Sequence, residues 1–200
     1  MRNRYFDHGS GDLSRATWSD SLEHTGATAG PAEFPLTEYG LGQVDRMGQV
    51  LLNALEGRDE PLQCHVSPLE RAQVTASRLL ANMSQMSLKT DDRLAEVSFG
   101  SWDGMTAYEI SIEYPGALDG AEAFDWFFRA PDGESFEGAS ARLGAWLKSV
   151  SGSTIAVSHG VAGRVLMGVY LGVPRHEALR LAVPDGGLAC LADGKVTFLS

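Results

Sequence analysis

The chain has 200 residues, 44% of them hydrophobic and 21% charged, with a formal net charge of −10. That composition excludes a disordered or low-complexity chain and is ample for one large core. The acidic balance disfavours nucleic acid or an anionic membrane surface as the main partner, yet leaves room for a small phosphorylated ligand held by a few local cations.

The N-terminus has no apolar region of the kind a signal peptide needs, and apolar runs break well before membrane-spanning length. Cys64 and Cys190 give no disulfide framework and fit a reducing compartment, so a cytoplasmic location is expected. Arg4 to His8 is a strand candidate running into a turn at Gly9, and residues 9–35, rich in Ser, Gly, Thr and Asp, are expected to form a long loop. A helix then opens with Thr37 as N-cap and carries a stripe of Leu41, Val44, Met47, Leu51 and Leu55 as far as Gly57. Leu62 to Val66 predicts a strand, and Ser67-Pro68-Leu69-Glu70 predicts a capping box opening a helix through Leu80.

Thr90 to Val97 is expected to be irregular or extended, followed by a tight loop at Phe99–Gly104 and a helix from Met105 to Ile112. The aromatic run Trp126-Phe127-Phe128 fits a satellite core or an apolar lid. Ser135 to Val150 predicts an amphipathic helix with Leu143, Trp146 and Leu147 on its inner face. Thr154–Val157 then reads as a short buried strand, Ser158-His159-Gly160 as a turn, and Val161 to Gly172 as an apolar helix. Three terminal strands are expected at Ala178–Val183, Leu188–Leu191 and Val196–Leu199. No repeat or linker divides the chain, which predicts one domain over residues 1–200.

His8 and His159 each end a predicted strand and precede a glycine, and Arg71 stands in the first turn of a helix that follows another strand. In a parallel sheet all three converge on the carboxyl edge, where open α/β sheets place ligands. Imidazoles and a guanidinium beside helix amino termini suit phosphate. A histidine ring is also a competent covalent nucleophile, and Glu96 is then a candidate acid for the leaving oxygen. The five histidines show no pair at metal-ligand spacing and there is no Cys-x-x-Cys, so no metal site is expected. Gly-x-Ser-x-Gly and the Walker and Rossmann glycine patterns are missing as well.

Ser67-Pro68-Leu69-Glu70-Arg71-Ala72-x-x-Thr75-Ala76 resembles the second-arginine motif of the histidine phosphatase superfamily, the phosphoglycerate mutase-like proteins. Leu36-Thr37-Glu38-x-Gly40-x-x-Gln43 resembles the helix opening before it, and Leu94-x-Glu96-x-x-Phe99-Gly100-x-Trp102-Asp103-Gly104 the proton-donor motif, with Asp103 where Glu is more usual. Pro131-x-Gly133-Glu134-Ser135 and Ser158-His159-Gly160 follow in the expected order. The resemblance implies an α/β three-layer sandwich with a mostly parallel central sheet, helices on both faces and a small cap insertion at about 105–135. It also implies a metal-independent phosphatase without cofactor, acting on a small phosphorylated or anionic substrate. By resemblance His8 takes the phosphoryl group, His159 stabilises it, Arg71 binds phosphate and Glu96 serves as acid and base. Asp7, Gly9, Ser14 and Gly160 complete the expected substrate-binding set. The oligomeric state stays open, a homodimer included.

The family opens with Arg-His-Gly where this chain has Asp7-His8-Gly9, and Ser14 stands where many members have Asn. Replacing attraction by repulsion of one unit charge about 4 Å away, at an effective dielectric near 20, is worth several kcal/mol before screening. Three functions therefore stand beside one another: a phosphatase of reduced or specialised activity, a pseudoenzyme that binds without turnover, and a pocket repurposed for acid–base work on a substrate lacking a phosphate dianion. On the charge argument, Asp7→Arg raises turnover of a generic phosphate ester; an unchanged or lower rate in a folded variant, measured across a phosphatase panel, contradicts it.

Overall fold

The structure is a computed structural model; it describes residues 14–17 (by their backbone), 36–57, 61–81, 83, 86–122, 124–182 and 187–199. The strands β1 (Ser14–Thr17), β2 (Gln63–Val66), β3 (Ser87–Thr90), β4 (Thr154–Val157), β5 (Leu188–Ala192) and β6 (Lys195–Leu199) form one sheet in the order β3-β2-β4-β1-β5-β6. The pairs β3/β2, β2/β4 and β4/β1 are parallel, and β1/β5 and β5/β6 antiparallel. The helices are α1 (Glu38–Leu55), α2 (Glu70–Leu79), α3 (Ala107–Glu113), α4 (Phe136–Ser149), α5 (Gly160–Leu171) and the short α6 (Arg175–Ala178).

Alternation along the pleat divides the core into two layers. Ile155 and Val157 of β4, with Cys64 and Val66 of β2, pack on Val44, Met47, Leu51, Ala76 and Leu79 of α1 and α2. Ala156 points the other way, into a cluster with Leu143 and Trp146 of α4 and Val165 and Leu166 of α5. All four residues of β4 are buried, as a parallel strand covered on both faces must be. The α/β architecture expected from the sequence is thus present. Burial pushes the Cys64 thiol up to about 12, so it stays protonated inside this layer.

Local chemistry explains most element boundaries. Thr37 accepts the Gly40 N–H at 3.1 Å and Ser135 accepts the Gly138 N–H at 3.0 Å, each closing a helix start where the sequence placed one. Gly172, with φ at 67°, ends α5 in the left-handed conformation that a glycine adopts without strain. α3 begins at Ala107, two residues later than expected, because Thr106 and Glu109 form a reciprocal capping box.

Three expectations need correction. The expected loop at 9–35 contains β1: Ser-Arg-Ala-Thr has no apolar alternation, and its extended form comes from pairing with β4 and β5 on its two sides. The expected strand at 178–183 is absent over its described residues, where Ala178 ends α6 instead. α6 packs so closely on α5 that a Cβ on Gly168 would lie 2.3 Å from the Ala178 Cβ. The Ser67 capping box is not formed, since α2 starts at Glu70 with Leu69 at its N-cap. The strand candidate at Arg4–His8 lies outside the described residues.

One polar contact crosses the sheet-to-helix layer: the Trp146 indole N–H donates to His65 Nδ1 at 3.0 Å. It requires Nδ1 to be unprotonated. Burial, and the charge of Lys89 after it, hold the His65 pKa below its ordinary value. The unfolded chain therefore takes up a proton at this ring below about pH 6.5 while the folded one resists. The expected outcome is full stability above that pH and a decline as pH falls below it, followed by urea denaturation at pH 7.5 and 5. His65→Asn, whose Oδ1 takes the place of Nδ1 and still accepts from the indole, should give a shallower decline.

Candidate active site

The parallel register of β2 and β4 brings two strand ends level. Val66 pairs with Val157, and the ladder runs one step further because the Ser67 N–H donates to the Val157 carbonyl at 2.9 Å. Ser67 and the Ser158-His159 turn therefore emerge side by side, and Ser67 Oγ lies 2.7 Å from His159 Nε2. Both are buried, Ser67 completely. Arg71, buried in the first turn of α2, acts on the same imidazole through its charge. Burial first, then the positive charges of Arg71 and Arg142, hold the His159 pKa well below its ordinary value. The ring is neutral at pH 7.

Glu96 lies at the start of α5, the helix that follows His159. Its carboxylate accepts the N–H groups of Ala162 at 2.9 Å, Val161 at 3.3 Å and its own neighbour Val97 at 2.8 Å. It thus sits at the amino end of α5, where the helix dipole favours negative charge. The sequence suggests that this helix terminus is open to an anion; instead the N–H groups of Val161 and Ala162 are engaged by Glu96. Gly160 opens α5 directly beside His159.

The loop carrying Glu96 is held by its carbonyls. Arg142 Nη1 donates to the carbonyls of Arg93 at 2.7 Å and Ala95 at 2.9 Å, and the Ser158 hydroxyl donates to that of Leu94 at 2.8 Å. Arg142 is fixed in turn by a two-pronged pair with Glu134 at 2.6 and 2.8 Å. Asp103 closes the following turn by accepting from the Phe99 N–H at 2.8 Å, and burial pushes its pKa up. Gly100 is needed in that turn: its φ is 55°, and a Cβ there would lie 2.4 Å from Asp132 Oδ1.

Arg71, Glu96, His159 and Gly160 are therefore brought together. Asp7, His8 and Gly9 lie outside the described residues. Ser14 opens β1 at its amino end, next to Arg15, which pairs with Ile155. His159 lies beyond the opposite, carboxyl end of the parallel neighbour, about 16 Å further along an extended chain. Sequence reasoning passed over Ser67 and Arg142. Ser67 carried a signal, its place directly after a buried strand, but its helix-capping pattern masked it. Arg142 carries no such signal, being one cation on an amphipathic helix far in sequence from the loop it holds. Beyond the centre, Phe124, Trp126 and Phe127 stack on one another, and the Arg164 guanidinium lies 3.7 Å above the Phe124 ring.

The family model for the histidine phosphatase superfamily (branch 1) matches residues 15–194. The "Probable phosphoglycerate mutase GpmB" of Yersinia pestis (strain Pestoides F) is 28% identical over 169 residues, covering 80% of this chain and 74% of that protein. Among solved structures, the alpha-ribazole phosphatase of Shigella flexneri superposes with a TM-score of 0.73 at 24% identity, covering 89% of each chain. The mycobacterial glucosyl-3-phosphoglycerate phosphatase gives 0.71 at 21% identity over 89% of this chain and 87% of that one.

Removing the Arg142 side chain leaves Glu134 and two carbonyls of the Glu96 loop without their donors. Arg142→Leu is expected to lower stability by about 3 kcal/mol. Chemical denaturation measures it; a loss below about 1 kcal/mol contradicts a holding role for this guanidinium.

Proposed function

The chain belongs to branch 1 of the histidine phosphatase superfamily, and from that premise we propose that it is a metal-independent phosphatase for a small phosphate monoester. The observation that carries the reading is the convergence of His159, Arg71 and Glu96 on one sheet edge. Arg71 supplies a fixed cation for the ester's oxygens. Burial and two nearby cations favour a neutral His159; an incoming dianion favours its protonation and gains a charged donor in return. Relatives named as phosphatases support hydrolysis as the reaction class.

In this proposal the step begins with Glu96 protonated, the approaching dianion favouring its acid form; a ring nitrogen of His8 attacks phosphorus, the ester C–O–P bond breaks on the phosphorus side, and the leaving oxygen takes that proton from Glu96. Water then gives a proton to Glu96 and attacks the phosphohistidine, releasing inorganic phosphate and restoring both groups. Residues 105–135 serve as a cap, and their aromatic stack favours a substrate with some apolar surface. The net charge of −10 argues against nucleic acid as a partner. No helix among the described residues is long and apolar enough to cross a membrane.

A second reading, binding without turnover, is favoured by one observation. The strand beside β4 is Ser14–Thr17 and the family match begins at residue 15, both after His8 in the chain. Trapping of acid-labile, base-stable phosphohistidine separates the two. Under the phosphatase reading the wild type is labelled by a reactive phosphate ester, while His8→Ala loses the label and turnover falls at least about a hundredfold. A wild type that binds inorganic phosphate but shows neither label nor turnover favours the second reading.

A further inference from the structure

We infer that Ser67 is a positioning residue for His159, its hydroxyl donating to Nε2 so that the ring is locked in the Nδ1–H tautomer. Ser67 is completely buried and its backbone is pinned: its N–H is bound to the Val157 carbonyl, and its own carbonyl accepts from Gln73 Nε2. Its Oγ accepts the Leu69 N–H at 3.3 Å, forming a local turn in place of the expected helix cap. The hydroxyl proton must then find an acceptor. Among the described residues, the acceptor within reach of this hydroxyl is His159 Nε2 at 2.7 Å. The reverse arrangement, with Nε2–H donating to Oγ, strands a buried hydroxyl proton, and buried donors without partners are disfavoured.

The surroundings agree with that assignment. Two guanidinium groups act on the ring, Arg71 from α2 and Arg142 from α4, and both oppose a second proton on it. The Glu96 carboxylate lies at the start of α5, next in sequence to the ring, but its bonds run to the helix N–H groups of Val161 and Ala162. With Nε2 occupied by Ser67, Nδ1 is the atom that carries the proton, and a bound anion is met by a donor of fixed orientation. The benefit to phosphate binding rests on the function proposed above; the tautomer does not.

The test is 15N nuclear magnetic resonance of the histidine rings in the full chain, ligand-free, from pH 6 to 8, with the His159 signal identified by its loss in His159→Gln. The wild type is expected to show an unprotonated Nε2 and a protonated Nδ1 throughout. Ser67→Ala should lose this single-tautomer pattern, and Ser67→Thr, which keeps the hydroxyl, should retain it. Inorganic phosphate, titrated into the same samples, should bind roughly tenfold more weakly to Ser67→Ala. A wild-type ring protonated at Nε2 overturns the inference, as does a Ser67→Ala spectrum identical to wild type. If Ser67→Ala does not fold, the wild-type spectrum decides alone. A protein that shows the expected tautomer but hydrolyses no phosphate ester refutes the phosphatase reading and leaves Ser67 in place.

Discussion

The centre of this molecule depends on the parallel pairing of β2 with β4. Because Val66 and Val157 are level, the two chains leave the sheet at the same height, and the extra Ser67–Val157 hydrogen bond fixes their separation. Shifting either strand by one residue would turn Cys64 and Ile155 out of one core layer and His65 out of its contact with Trp146. Burial on both faces sets that register far more firmly than any feature of the turns themselves. The site therefore inherits its precision from the core beneath it.

Charge is arranged around this edge with the same economy. The charges of two guanidinium groups, one from each helical layer, act on one buried imidazole and favour its neutral form. Arg71 and Arg142 differ in what they hold. Arg142 is committed to Glu134 and to the carbonyls that present Glu96, so its role in the resting protein is structural. The Pro131-x-Gly133-Glu134-Ser135 stretch acquires a physical meaning from this: Ser135 starts α4, and Glu134 anchors the guanidinium that α4 returns to the acid loop.

Much of this is legible in the residues, and the exceptions have causes. β4, the His159 turn and α5 can be read because a β-branched run, two glycines and an apolar helix stripe all agree locally. Thr37 and Ser135 are equally plain, since a cap needs only its own turn. β1 is not legible: Ser-Arg-Ala-Thr is polar, and its strand state is imposed by neighbours distant in sequence. The stretch from Ala178 to Val183 resembles a strand by composition, but Pro174 starts a short helix that runs into it and Ala178 fits against Gly168. Ser67 shows a subtler failure. A serine before proline can cap a helix or fold back on the next N–H but one, and only the partner strand decides which.

Glu96 holds a double post. The carboxylate proposed for proton transfer also satisfies the first free N–H groups of α5, whose first nine residues are all buried. A side chain without an acceptor at this position would leave those N–H groups unpaired, so its cost falls on the fold as well as on the chemistry. The aromatic segment is tied to the loop that carries Glu96, since Phe127 packs on the buried Phe99 at 4.7 Å between ring centroids, so a change in either is passed to the other through shared packing.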